Sequence, residues 1–196
     1  VIEMSQYDEA FLFLAPESTG VVRKELRHSG GVTGLIWIPD GTAAAGVAAE
    51  LAADGTRLFE LYRGFDLAAA AQVIEAVDGR APVGVPLGAP PVRHSVTIFG
   101  DEGADPATDR LVHQHADGGT TTVIGAPNAD VIAVAEREVA AGAELIQVCG
   151  GESLTTAARV AAAVGDRVPV TLTSWPFESI TGAAAYKAAY EKANPA

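Results

Sequence analysis

The sequence has one cysteine, one methionine and two tryptophans, its aromatic content is 6%, and lysine and arginine together supply only 13 of 196 residues. Each shortage excludes something. The single thiol, Cys149, rules out an internal disulfide and fits a reducing compartment, so a cytoplasmic location is expected. Aspartate and glutamate number 25 and the net charge is −12, a field that repels nucleic-acid backbones and anionic membrane surfaces. Neither partner is expected. No apolar run reaches the roughly 18 to 20 residues of a membrane span, and no charged-then-apolar signal segment opens the chain. Met4 reads as the natural start, with Val1, Ile2 and Glu3 ahead of it. No GxGxxG or Walker pattern occurs, which removes support for nucleotides. A Gly-x-Ser-x-Gly elbow and a strand-end lysine are also missing, which counts against hydrolase triads and Schiff-base chemistry.

What the chain does have is a repeat. Residues 58–85, LFELYRGFDLAAAAQVIEAVDGRAPVGV, return as residues 145–172, LIQVCGGESLTTAARVAAAVGDRVPVTL, at a constant offset of 87. Matched Gly64/Gly151, Arg80/Arg167 and Pro82/Pro169 cannot come from alanine richness, and Gly31/Gly118 and His28/His115 extend the match upstream. A two-residue shift sets Phe11–Glu17 against Val96–Glu102. Such a period is too long for an ordinary solenoid and is about half a domain. A mean hydropathy of +0.21 with 19% charged residues indicates a compact globular chain.

Each unit alternates β-branched or aromatic runs with alanine-rich segments of helical period, the pattern of a parallel α/β sheet. Strands are predicted at residues 10–14, 34–38, 57–62 and 82–85, and again at 95–99, 121–125, 144–149 and 168–173. Helices are predicted at 20–28, 43–53, 67–77, 106–115, 129–141, 154–164 and 179–192. Gly55 and Gly142 each follow a helix where a left-handed C-terminal cap is expected. Two half-barrels closing into one (β/α)₈ TIM-like barrel is the leading architecture, a fold whose size begins near 200 residues. It would be a single domain of units 10–88 and 95–173 plus the C-terminal helix 179–192. Residues 86–94 are too short for a crossover helix, so a proline-stiffened strap replaces the fourth helix. Two packed four-stranded parallel lobes are the alternative, disfavoured because they leave sheet edges exposed.

The series FLFLAPE, a strand ending in ELY or VCGG, then a helix and VPVG or VPVT resembles short bacterial proteins of the domain-of-unknown-function family numbered 6506. Those proteins carry one such unit with an ELCGGFG-like turn. Here Glu60, Gly64 and Phe65 keep part of the turn and Cys149, Gly150 and Gly151 keep another part. The resemblance implies a tandem α/β unit and no established chemistry. Tyr62 and Arg63 replace its Cys-Gly and Gln147 replaces its Glu, so a once symmetric site is expected to have become asymmetric.

Alternation along a strand puts Glu60 and Tyr62 on one face, and Gln147 with Cys149 on the matching face of the twin strand. Polar groups turned inward need partners or a ligand. Glu60 is the first candidate for a general acid or base, because burial raises a carboxyl's proton affinity. Tyr62 and Arg63 are candidates to stabilise oxygen charge, with an ion pair to Asp66 as the alternative use of Arg63. Cys149, ahead of a helix start, is a candidate nucleophile. Gly150 and Gly151 form a strand-to-helix turn where phosphate is often held, although adjacent Glu152 would repel it. The substrate-binding set also takes in Thr171 and Thr173 on the last strand, Trp37, and the loop residues Glu17, Asp101, Trp175 and Phe177. His28, His113 and His115 are read as helix-end residues and His94 as preceding a strand, which leaves no metal set. A carboxylate magnesium site from Glu17, Asp101 or Glu102 is the remaining metal alternative. The expected function is a cofactor-independent isomerase, lyase or cyclase acting by proton transfer on a small, largely apolar organic substrate in specialised-metabolite biosynthesis, with a homodimer allowed. The rival is a non-catalytic small-molecule binding or carrier protein.

Overall fold

A computed structural model describes residues 7–86 and 88–194; Met4 lies outside the described residues. The first lobe runs β1 (Glu9–Leu14), β2 (Val22–His28), β3 (Gly31–Ile38), α1 (Gly41–Ala53), β4 (Phe59–Tyr62), α2 (Leu67–Val77) and β5 (Val83–Gly84). Its twin runs β6 (His94–Gly100), β7 (Arg110–Gln114), β8 (Thr120–Ala126), α3 (Val131–Ala140), β9 (Leu145–Val148), α4 (Leu154–Val164) and β10 (Val170–Leu172), and α5 (Ile180–Ala193) follows. The sheet orders are β2-β3-β1-β4-β5 and β10-β9-β6-β8-β7. In each sheet the outermost hairpin strand, β2 or β7, is antiparallel and the rest are parallel.

These are two packed α/β lobes; the closed eight-stranded barrel is not formed. The reason lies in residues 20–28 and 106–115, expected as helices, which supply the edge strands β2 and β7 instead. With a hairpin on one side, each sheet completes itself, and among the described residues the lobes share a single backbone bridge, Val85–Ser174, at 2.7 and 3.1 Å. Along β2, exposed Arg23, Glu25 and Arg27 alternate with more buried Val22, Lys24, Leu26 and His28. That is a strand's period of two, and charge on the outer face discourages further pairing.

Strand alternation also sorts the core into layers. Ala10, Leu12, Ile36, Ile38, Phe59 and Leu61 pack beneath α1 and α2, while Val96, Ile98, Ile124 and Ile146 pack beneath α3 and α4. The opposite faces meet each other: Phe11, Phe13, Leu35, Trp37 and Tyr62 of the first sheet cluster with Phe99, Val123 and Cys149 of the second. Phe11 and Phe99 meet edge to face across the lobes at 6.2 Å. Helices α1, α2 and α4 begin on side-chain caps, since Asp40, Asp66 and Ser153 accept from the amides of Ala43, Ala69 and Thr156 at 2.8, 2.8 and 3.0 Å. Gly55 and Gly142 end α1 and α3 at φ 98° and 106°, as their place in the sequence suggested. Among the described residues no helix is long and apolar enough to cross a membrane.

Candidate functional site

The lobes face each other with strand directions opposed, so the carboxyl end of each sheet meets the amino end of the other. At one such end lies a cavity of about 730 Å³. The second lobe contributes the ends of β6 and β9 with Asp101, Cys149, Gly150 and Gly151, and the first lobe contributes Glu9, Phe11, His28 and Glu60. Helix α5 lies across the opening and brings Ile180, Tyr186 and Tyr190 to the wall. Phe99 and Trp175 add apolar surface, and the Trp175 indole donates to the Gly150 carbonyl at 3.3 Å.

Glu60 is 2% exposed. The Tyr62 hydroxyl donates to its Oε2, and the Gly150 amide, from the other lobe, donates to its Oε1 at 3.0 Å. Burial pushes the carboxyl up and the nearby Glu9 charge adds to this, outweighing those two hydrogen bonds, so its pKa stands at about 8. Glu60 therefore carries a proton near neutrality. Burial and the Glu60 charge also push the Tyr62 hydroxyl and the Cys149 thiol well above their ordinary values. Cys149 packs in the inter-lobe core, and this burial works against the thiolate expected at a helix start.

A chain of hydrogen bonds runs along the opposite wall. Asp101 Oδ2 meets His28 Nδ1 at 2.8 Å, His28 Nε2 meets Thr33 Oγ1 at 2.8 Å, and the Thr33 hydroxyl donates to Glu9 Oε1 at 2.7 Å. Tyr186 of α5 closes it by donating to Glu9 Oε2 at 3.3 Å. Burial works to raise the Asp101 carboxyl, but hydrogen bonds from Ser29, Gly103, His28 and Gly30 together hold it below the usual aspartate value. Glu9 moves upward, chiefly through burial. Asp101 on this wall is thus favoured as the carboxylate, while Glu60 on the facing wall is favoured in its protonated form.

The other end of the molecule repeats this plan. His115 Nδ1 meets Glu17 at 2.7 Å and its Nε2 meets Thr121 at 2.8 Å, as His28 does with Asp101 and Thr33. Gln147 accepts from the Arg63 amide at 3.2 Å, as Glu60 does from Gly150. Arg63 stands where the twin has Gly150, and its side chain, 9% exposed, fills the space. The guanidinium bonds the Leu14 carbonyl at 3.2 Å, Glu17 at 3.0 Å and the Val92 carbonyl at 3.3 Å, and lies 3.4 Å from His115. A groove of about 670 Å³ beside it is bordered by the proline-rich strap at Pro90, Pro91 and Val92.

A model of the family described as "Family of unknown function (DUF6506)" matches the chain twice, at residues 7–97 and 93–188. The chain belongs to the DUF6506 family. It is a tandem duplication of the DUF6506 unit, one copy per lobe. Comparison with curated proteins and with solved structures found no match.

The two DUF6506 units place the expected site residues unevenly. Glu60, Asp101, Cys149, Gly150, Gly151 and Trp175 line the cavity, and Tyr62 is fully buried behind Glu60. Arg63 and Glu17 lie at the opposite end, so Arg63 does not stand beside Glu60, and its partners are Glu17 and His115 in place of Asp66. Trp37 is buried in the inter-lobe core, stacked between Phe13 at 5.1 Å and His113 at 4.0 Å, away from the cavity. Gln147 holds Arg63 and reaches Thr171 at 3.5 Å, and Thr173 is buried close to Gly84. None of these three lines the cavity, and Phe177 is 89% exposed. Glu17 and Asp101 are too far apart in the fold to share a magnesium ion, and among the described residues no three His, Cys, Asp or Glu side chains are placed to hold a metal. His28 and His115 belong to the hairpins rather than to helix ends. The sequence reading missed Glu9, His28, Thr33 and Tyr186. The repeated His28/His115 pair carried the signal, since a histidine kept at matched positions of two diverged units has a matched task.

Proposed function

We propose that this DUF6506 protein is a cofactor-independent acid–base enzyme that moves a proton on a small organic substrate enclosed between the lobes. The observation that carries the reading is Glu60, a carboxyl holding its proton to about pH 8 at the wall of a largely apolar cavity. A group poised near the working pH both gives and takes a proton efficiently. The twin position adds weight. Gln147 makes the same inter-lobe bond with a neutral amide, so the fold does not need an acid there. Glu60 keeps an ionisable group at a site where an uncharged one would hold the lobes together, which points to use of the proton.

In this reading Glu60 transfers the proton, Tyr62 positions it through the Oε2 hydrogen bond, and the His28–Thr33–Glu9 chain carries charge or protons along the facing wall. Phe11, Phe99 and Trp175 exclude water around an apolar substrate body. Isomerisation, elimination and ring closure can each use a proton donor and acceptor of this kind. The reducing compartment suggested by the lone buried thiol makes the cytoplasm the proposed location. The rival reading, a carrier, draws support from the fully satisfied hydrogen-bond chain and from the helix laid across the opening. Incubation of a small-molecule library in D2O, read by mass spectrometry, separates the two. The enzyme reading expects deuterium incorporated into a compound by the wild type and not by Glu60→Gln; equal labelling by both would remove Glu60 from the chemistry, and retention of a compound without any label would favour the carrier.

A further inference from the structure

We infer that the open cavity receives an organic cation, an alkylamine or alkylguanidine, whose charged head takes the place that the Arg63 side chain takes at the opposite end. This rests on the proposed reading of the cavity as the substrate site and names the class of substrate.

The two ends are built to one plan, and one of them shows its occupant. At the filled end the guanidinium of Arg63 sits against an acid, Glu17, beside the histidine that this acid holds, and on the carbonyl that ends β1. At the open end the acid and its histidine recur as Asp101 and His28, beside Gly100 at the end of β6, and among the described residues no arginine is placed there; Ser29 and the Gly30 and Gly103 amides donate to Asp101 as well. The residue that supplies the cation at one end is replaced by glycine at the other, because Arg63 and Gly150 are matched in the repeat and each amide donates to the side chain of the opposite lobe. A Cβ at Gly150 would come within 2.8 Å of the Trp175 ring and 2.9 Å of Glu60, so the open end has no room for a side chain of its own on that backbone. The charge of the walls agrees. Asp101, held below the usual aspartate value, and Glu102 line the cavity, and its one lysine, Lys187, is paired with Glu191 on α5. An anionic ligand would meet repulsion there, whereas a cation restores the pairing seen at Arg63. The cavity continues past the cation position to Phe11, Phe99, Trp175 and Ile180, so the ligand has an apolar body longer than the stem of an arginine.

The test uses four probes with one butyl chain: butylguanidinium, butylammonium, the neutral isostere butylurea, and pentanoate. Calorimetry on the wild type at neutral pH is expected to find one site per chain. It should favour the guanidinium or ammonium over butylurea by about tenfold or more, the scale of a charge-assisted hydrogen bond over a neutral one. Pentanoate is expected not to bind. Arg63→Gly empties the twin site, and butylguanidinium is then expected to bind at two sites per chain. Should Arg63→Gly fail to fold, Asp101→Asn in the wild-type background is expected to remove the preference for cation over urea. Equal affinity for butylurea and butylguanidinium in the wild type, or a folded Arg63→Gly that gains no second site, would overturn the inference. Glu60→Gln is expected to keep the cation preference, since Glu60 is already neutral at that pH. Preference retained together with undiminished turnover in that variant would remove the acid–base reading and leave the cation site standing.

Discussion

At the scale of single residues the account depends on protonation. The folded chain holds a proton on Glu60 that the unfolded chain, with an ordinary glutamate pKa of 4.5, has released; the folded value is about 8. Stability contributed by this group is therefore complete below pH 4.5 and is lost as pH rises through 8, at about 1.4 kcal/mol per pH unit between those limits. Glu60→Gln removes the dependence, and Gln147 shows that glutamine fits the same inter-lobe bond. Denaturation midpoints across pH should show the variant gaining on the wild type from pH 5 upward and levelling off past pH 8; a constant difference would count against a buried proton. For Cys149, 5% exposed and held as a thiol, alkylation by iodoacetamide is expected only on unfolding, and Cys149→Ala should retain turnover. Rapid modification of the native chain, read by mass spectrometry, would restore it as a nucleophile.

At the scale of elements, the helices and central strands were legible in the sequence because alanine-rich helical periods alternate with β-branched or aromatic runs, and local caps agree with them at several helices. The stretch ahead of α2 has Asp66 to cap it, that ahead of α4 has Ser153, and glycines at 55 and 142 end α1 and α3. Ser153→Ala should cost about 1 kcal/mol in chemical denaturation through loss of the bond to the Thr156 amide. The edge strands were misread as helices because Arg, Lys, Glu and Leu in β2 are good helix formers, and tertiary pairing with β3 overrides that preference. The turns gave the better clue, Ser29-Gly30-Gly31 in one unit and Asp117-Gly118-Gly119 in the other. Gly31 and Gly118 adopt φ 139° and 83°, which other residues rarely do, and a glycine pair of this kind between two alternating segments signals a hairpin. The site was half legible for the same reason. Glu60, Asp101 and the Cys149-Gly150-Gly151 turn follow from strand alternation, but His28 reaches the cavity only once β2 is a strand, and Glu9 stands one residue ahead of the strand expected at 10–14.

At the scale of the whole molecule, duplication has turned a pair of equivalent ends into one filled and one open. A chain carrying both copies can alter one end without the other, and Arg63 against Gly150 is where this change is most consequential. The lobes share one inter-sheet core, so they are expected to unfold in one transition; Phe99→Ala, which removes the ring that meets Phe11, should cost about 3–5 kcal/mol and keep a single transition in calorimetry. Two separated transitions would mean lobes that stand alone. The most direct test of the central claim, that the open end holds a protonated acid ready for transfer, is the titration of the Glu60 carboxyl itself. It can be followed by carbon NMR of glutamate-labelled protein, with Glu60→Gln assigning the resonance. The account predicts a midpoint close to 8, and a midpoint at the ordinary value of 4.5 would contradict it.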